Sequence, residues 1–409
     1  MKTRNKTRYT YRLTKKYPHI VTKMLDEIPQ EKLIYGRVLD LSFGGGQFLV
    51  EVEKRKAAAG LSDQQIRETT FGIESSIHSV NYVLNKFNMQ STLIAYDYKD
   101  LKDMHFDVIV GNPPYNSGEV TIYHHFVEKA IKMNPDYLTM IIPSRWFITG
   151  KGLDEFRKLM LDQEHISKIV DYPYSKDVFQ TVDIEGGVCY FVWDKSHRGN
   201  TNLTTVVNSI ETTRSINIRK YDIIIRFKEQ EDVLEKVKRK CTEFMSDVVS
   251  KVKPFGLETN EKLLEKGNIL VYSRGGKIGY VDELPEIHKS FYKWKTILAE
   301  ARGSSGINSQ ITGKPKVVAP NTACTATYII VDSFDTQQEA ENLAAYIKTK
   351  FFRFMLSILK ITQHGNRKTY AFVPKLDMSR KWTDQELYRY FELTDHEIDF
   401  IEKMIKEIK

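Results

Sequence analysis

Between Arg37 and Trp193, short apolar runs alternate with helical patterns, and most runs stop at turn or acidic residues. Val38-Leu39-Asp40-Leu41 comes first. Gly44-Gly45-Gly46 follows, then a helical pattern through Phe48, Leu49 and Val52 that ends at Ala57-Ala58-Ala59-Gly60. Thr70 to Glu74, Thr92 to Asp97, Phe106 to Val110, Tyr137 to Ile142 and Gly187 to Trp193 read as further strands. Helical stretches lie between most of them. Strands alternating with helices pair through crossovers, so the pattern predicts an α/β sheet with mostly parallel strands. The alternation fades near His197-Arg198-Gly199-Asn200. A boundary is expected there, with a sheet domain over 1–200 and a mixed α+β domain over 201–409.

The second half gives elements but no chemistry. Strands are expected at 221–227 and 269–272, a charged helix from Asp232 to Cys241, and one long helical segment from Thr336 to Leu359. Thr383 with Glu386 and Thr394 with Glu397 fit capping boxes. Ile398, Ile401, Ile405 and Ile408 fall on one helical face.

Composition excludes several classes. With 41% hydrophobic and 28% charged residues in 409, collagen-like, low-complexity and wholly disordered chains are ruled out. Three cysteines, Cys189, Cys241 and Cys324, lie far apart without a CxxC, against a disulfide framework or a cysteine zinc site. No metal is expected, and a reducing cytoplasmic location is. No run approaches the roughly 20 apolar residues of a membrane span. The charged start Met1 to Lys6 has no apolar run after it, so neither a signal peptide nor a membrane association is expected. The net charge of +8 favours a polyanionic partner, nucleic acid first. The first 25 residues carry eight Lys or Arg with Tyr9, Tyr11 and Tyr17 among them, as a phosphate-facing arm would.

Two places carry chemistry. At Asp40-Leu41-Ser42-Phe43-Gly44-Gly45-Gly46 a strand ends, the chain turns on glycines and a helix begins. Such turns let a ligand approach the backbone at the carboxyl end of a sheet. Glu74 and Asp97 close the next two strands, and a carboxylate after the second strand is the usual partner of a ribose hydroxyl. The other place is Asn112-Pro113-Pro114-Tyr115, directly after an apolar strand. Each proline fixes its own φ, offers no N–H and pushes its predecessor toward extended geometry. Asn112 and Pro113 therefore hold their oxygens out as aimed acceptors, with an aromatic ring next to them. That set suits a planar amine.

Together these residues resemble the S-adenosylmethionine-dependent adenine-N6 DNA methyltransferases. The cofactor motifs come first, the catalytic motif next and a recognition region last, which is the gamma arrangement common in type II restriction–modification systems. The likeness extends to the Ile122 to Ala130 helix, the Ile141 to Phe147 strand and turn, Asp177-Val178-Phe179-Gln180, and the stretch from Thr336 to Ile405. Leu41 stands where the family usually has proline, and Tyr17 to Val21 matches the first cofactor motif only in outline.

The resemblance implies a Rossmann-like class I methyltransferase sheet, mostly parallel with helices on both faces, followed by a mixed α+β target-recognition domain. Asn112 and Pro113 would accept the two amine hydrogens of a flipped adenine, with Pro114 and Tyr115 completing the catalytic motif. Tyr115 and Phe179 would sandwich the base. S-adenosyl-L-methionine would be held by Asp40, Ser42, Gly44, Gly46, Phe48, Glu74, Ser75, Asp97, Tyr98, Asn112 and Phe126. DNA contacts are expected from polar turns at Arg274, Lys277, Arg302, Gln363, His364 and Arg367. The expected partner is double-stranded DNA, bound by a monomer, with any cognate restriction endonuclease on another chain. Methylation of RNA or of a protein glutamine is the rival enzymatic reading, since those families share Asn-Pro-Pro-Tyr. A non-catalytic DNA-recognition subunit on the same fold is the rival of another class.

Overall fold

The computed structural model describes residues 8–9, 18–95, 101, 104–148, 152–179, 183–301, 309–360 and 364–408. The chain forms two compact units, Met1–Ile224 and Ile225–Lys409. Among the described residues no helix is long and apolar enough to cross a membrane.

The first unit is built on one nine-stranded sheet. Its strands are β1 (Val38–Asp40), β2 (Thr70–Glu74), β3 (Thr92–Ala95), β4 (Val108–Gly111), β5 (Tyr137–Pro143), β6 (Ile166–Tyr172), β7 (Val188–Asp194), β8 (Thr201–Val207) and β9 (Ile210–Ile216). Their order is β9-β8-β6-β7-β5-β4-β1-β2-β3. The five strands from β3 to β5 run parallel. β7 alone is antiparallel to both its neighbours. Every residue of β1 and β4 is buried, so both faces of the sheet are covered, as a parallel sheet requires.

Helix α1 (Gln47–Ala58) connects β1 to β2, and α2 (Ile77–Phe87) lies between β2 and β3. The chain then returns to the far side of β1, where α3 (Tyr123–Lys132) joins β4 to β5 and α4 (Asp154–Asp162) leads to β6. With right-handed crossovers, that reversal puts α3 and α4 on the opposite face from α1 and α2. The reversal also opens a crevice between the carboxyl ends of β1 and β4. Ligands of open α/β sheets bind at such a switch point. At the other ends of the strands, Lys32 Nζ bridges Asp107 at 3.1 Å and Asp136 at 2.6 Å, just before β4 and β5. Asp107 also accepts from the Arg37 main-chain N–H at 2.8 Å.

The boundary expected at 200/201 lies instead at 224/225. Thr201 to Val207 are threonine-rich rather than continuously apolar, yet they pair parallel to β6, and Thr201 Oγ1 donates to Ile166 O at 2.6 Å. Asn208 and Ser209, both at positive φ, then turn the chain back into β9, as a tight hairpin requires.

In the second unit, β10 (Ile269–Tyr272), β11 (Ile278–Val281) and β14 (Thr322–Cys324) make one sheet. β12 (Trp294–Ala299), β13 (Lys316–Val318) and β15 (Tyr328–Phe334) make another. Phe255, Val271, Ile297, Cys324 and Ile330 share their core. Helix α5 (Lys228–Lys240) takes the place expected for the charged helix. Residues 221–227 form no strand, although Ile223, Ile224, Ile225 and Arg226 are all buried. The long helix expected from Thr336 is two, α6 (Gln337–Lys348) and α7 (Lys350–Ser357). Thr349 breaks it by turning extended (ψ 149°) and capping Phe352 N with its hydroxyl. Both capping boxes form, at the starts of α8 (Asp384–Tyr390) and α9 (Asp395–Met404).

Candidate active site

The glycine turn and the Asn-Pro-Pro-Tyr motif meet at the switch point. Asp40 ends β1 with only 1% of its surface exposed, and its Oδ1 accepts from Ser42 N at 3.0 Å. Gly111 ends β4, and a Cβ added there would lie 3.1 Å from Asp40 Oδ1. The glycine thus lets the buried carboxylate sit against the main chain one residue before Asn112. From the sequence, Gly111 is only the stop after an apolar run; its place immediately before the motif is the signal that points to this further role.

Burial pushes the Asp40 carboxyl up to about 7, and the negative charge of Glu74 adds to the rise against the Ser42 N–H. Among the described residues no cation is paired with it. A buried carboxylate without a counter-charge suits a cationic ligand group.

Glu74 shapes the turn. Its Oε2 accepts from Gly44 N at 3.1 Å, and its Oε1 from Ser76 N at 3.0 Å and Ser75 Oγ at 3.2 Å. Gly44 and Gly46 have φ of 52° and 77°, a left-handed region that side chains disfavour. Gly46 then caps α1, whose inner face buries Phe48 and Leu49. Three hydrogen bonds to the protein leave the Glu74 carboxylate one lone-pair direction for a ribose hydroxyl. Gly72, also unremarked in the sequence, lets turn and helix lie on β2. A Cβ there would come within 2.5 Å of Leu49, 2.7 Å of Phe43 and 3.1 Å of Leu93. Gly72→Ala is expected to lower unfolding stability by about 1–3 kcal/mol, an overpacking cost visible in a urea titration.

On the opposite side, the Asn112 Oδ1 atom is buried, as are Pro113 and Pro114. Tyr115 is 1% exposed and its hydroxyl donates to Ile141 O at 3.4 Å. Its ring meets Tyr123 and Phe179 edge to face, both with centroids 6.2 Å away. The expected sandwich is therefore absent from this conformation: Tyr115 and Phe179 touch at 84°, and no purine fits between rings in direct contact. Phe126 is half-buried on α3. Main-chain pairing brings Arg8 and Tyr9 alongside Ser117 and Asn116, directly after the motif. Asp97, Tyr98, Gln180, Arg302, Gln363 and residues 1–7 and 10–17 of the basic arm lie outside the described residues, while Lys23, in the helix Pro18–Asp26 that ends the arm, pairs with Glu211 at 2.7 Å.

Among the described residues, two clusters have the atoms to hold a metal ion. His105, Asp107 and Asp136 converge, but Lys32 already pairs with both carboxylates. On α3, His124, His125 and Glu128 also converge; that group faces the positive end of its own helix, which disfavours a cation.

The polar turns proposed to meet DNA have different fates. Arg274 and Lys277 stand exposed at the β10–β11 turn. Arg367 instead donates to Ser246 O at 2.6 Å, which fixes it to the main chain. His364 Nδ1 lies 3.0 Å from a Glu300 carboxylate oxygen. Both bond to neighbouring loops while remaining exposed.

Parts of this chain are similar to known proteins. Residues 46–179 match the model of the Eco57I restriction-modification methylase. A Mycoplasma pneumoniae protein described as an uncharacterized adenine-specific methylase is 34% identical over 132 residues, 30% of this chain and 31% of its own length. The ribosomal RNA small subunit methyltransferase C of Haemophilus ducreyi is 30% identical over 115 residues, 28% of this chain and 33% of its own. The chain thus spans about a third of the length of the curated relatives it matches. A solved structure of the type IIL restriction-modification enzyme MmeI in complex with DNA aligns with 88% of this chain and 64% of its own, at 11% identity and a TM-score of 0.49.

Proposed function

We propose that this protein transfers a methyl group from S-adenosylmethionine to the exocyclic N6 amine of a flipped adenine in double-stranded DNA, as the modification enzyme of a restriction–modification system or as a free-standing one. The observation that carries the reading is the Asp40 carboxylate lying against Gly111, the residue before Asn112, at the switch point. Adenine-specific methylation is also what the name of the Mycoplasma pneumoniae relative states. The cofactor would lie over the glycine turn, its cationic methionine end toward Asp40 and its ribose toward Glu74, with Ser42, Ser75, Asp97, Tyr98 and Phe126 lining the rest. When bound it supplies an electrophilic methyl group on a sulfonium.

This chain's own residues meet the harder problem, a poor nucleophile. The adenine amine shares its lone pair with the ring. Asn112 Oδ1 and the Pro113 carbonyl accept its two hydrogens, which favours a tetrahedral nitrogen with a localised lone pair and stabilises the charge that develops there. The effect is electrostatic preorganisation, and the rigid prolines maintain it without reorganisation. Holding amine and methyl in line adds the proximity effect.

A duplex hides this amine, so the base must leave the stack. Tyr115 and Phe179 then have to part. An edge-to-face aromatic pair contributes about 0.5–1.5 kcal/mol beyond area burial. Stacking a base on an aromatic ring returns roughly 1–3 kcal/mol. Exchanging one for the other is therefore favourable once the base arrives. The protein would act as a monomer in the cytoplasm, with any cognate nuclease on a separate chain.

The test is to incubate the purified protein with unmethylated genomic DNA, total RNA and labelled cofactor, then map the label. N6-methyladenine within one short DNA motif is expected. Label in cytosine, in RNA or in protein would overturn the proposal; RNA is the rival that the Haemophilus ducreyi relative's name raises.

A further inference from the structure

We infer that the turn between β10 and β11, with Lys316 beside it, grips the phosphate backbone of duplex DNA and does not read bases. This rests on the proposed function, since it names how that substrate is held.

Register puts Tyr272 opposite Ile278, so Arg274, Gly275, Gly276 and Lys277 form the tip of a hairpin. All four are exposed. Gly275 and Gly276 have φ of 72° and 79°, and Ser273 N donates to Lys277 O at 2.8 Å, which closes the tip. A Cβ at Gly275 would meet nothing within 4 Å, so the face of the turn is open to a bulky partner. A Cβ at Gly276 would lie 3.8 Å from Lys316 Nζ. Lys316 is held there by two rings: its ammonium lies 5.8 Å from the centroid of Tyr272 and 5.7 Å from that of Tyr328. Three cations from two sheets thus converge on one small turn.

Some cations of the same unit are paired with acids. Lys251 pairs with Glu286, Lys293 with Asp335 and Lys375 with Glu243. Among the described residues, Arg274, Lys277 and Lys316 have no carboxylate partner. No acid occurs from Leu270 to Tyr280. The nearest along the hairpin is Asp282, beyond Val281, which pairs with Ile269 at the opposite end from the tip. Uncompensated positive charge on an exposed turn is what a polyanion recognises.

The form of the tip argues for phosphate over base. Base reading needs a side chain fixed in one direction, because discrimination comes from a bidentate pair. Arg274 and Lys277 are solvent-exposed on a glycine turn, and among the described residues neither has a side-chain hydrogen bond or ion pair to aim it. Lys316, the one held in place, presents a compact ammonium, which binds phosphate as a point charge.

The experiment measures binding of the full-length protein to fluorescent duplexes, with and without the target motif, across a salt series. Arg274→Gln with Lys277→Gln removes two charges from exposed positions, and Lys316→Met removes the third while keeping an apolar chain over the rings. Each lost phosphate contact should lower the salt slope by about one, so the double variant loses about two. Target and non-target duplexes should weaken by the same factor, so their ratio stays constant, and S-adenosylmethionine binding should not change. An unchanged slope, or weakening confined to the target duplex, would overturn the inference while leaving the proposed function intact. Tighter wild-type binding to a hairpin RNA than to either duplex would overturn the assignment to DNA. Failure of the wild-type protein to bind any duplex would overturn both.

Discussion

Asn112→Ala is expected to lower the rate of methyl transfer roughly 10²–10³-fold or more, while S-adenosylmethionine still binds within a few-fold of the wild type. The range is that of losing one preorganised hydrogen-bonding group aimed at developing charge. Alanine removes an acceptor, and the amine hydrogen it faced is left without a partner in a site where water is excluded. Nothing else in the motif changes, because the two prolines and the strand before them set the backbone. The loss should appear in kcat, since the interaction strengthens only as the nitrogen becomes tetrahedral. Asn112→Asp keeps an oxygen in place and should retain part of the rate. Single-turnover kinetics with calorimetry of cofactor binding checks both. A variant that loses cofactor binding and rate together would make Asn112 a binding residue only.

Asp40→Asn should have opposite effects on stability and on ligand binding. The folded protein raises this carboxyl from 3.8 to about 7. It therefore favours the protonated form, so stability falls as pH rises from about 4 to about 7 and stays low above that. At about 1.4 kcal/mol per pH unit, keeping Asp40 ionised costs about 4 kcal/mol at pH 8. The amide cannot ionise and recovers part of this, less what its N–H groups lose by burial. The variant should melt higher than the wild type at pH 8 and close to it at pH 4. Its affinity for S-adenosylmethionine should drop by roughly tenfold to a hundredfold, the range of a hydrogen bond to a charged group. Wild-type binding of the cofactor near pH 7 should release protons, visible as a dependence of the calorimetric heat on buffer. Equal melting of the two proteins at pH 8 would mean that Asp40 is not held against its ionised form.

The parallel half of the sheet was legible because its strands are buried on both faces and so read as unbroken apolar runs. Thr70–Glu74 matches its expected bounds and Val108–Gly111 falls within two residues of its own; the antiparallel but equally buried Val188–Asp194 lies within one. β6, β8 and β9 were not read. β6 carries Lys168 and Asp171 within its run, β8 is rich in threonine, and β9 lies largely exposed at an edge. Their pairing is fixed by partners distant in sequence, which a local pattern does not contain. The site was legible where chemistry dictates residue type: Asp40, the glycine turn and Asn112 to Tyr115. It was illegible where it depends on closeness, as at Gly72 and Gly111. Both are glycines because a packed neighbour crowds the place of a Cβ, the turn and helix at Gly72 and the Asp40 carboxylate at Gly111, and only the fold shows the neighbour.

The Lys32 bridge acts on β4 at the end away from Asn112. Both strands that carry the site stand in the interior of a wide sheet, and one is pinned where it begins. Their amides should therefore be among the slowest in the molecule to exchange with deuterated solvent, because opening them means opening everything around them. A site arranged this way does not lose its aim by degrees as it warms. The oxygens keep their positions until the sheet itself melts, so heat ends activity and structure together.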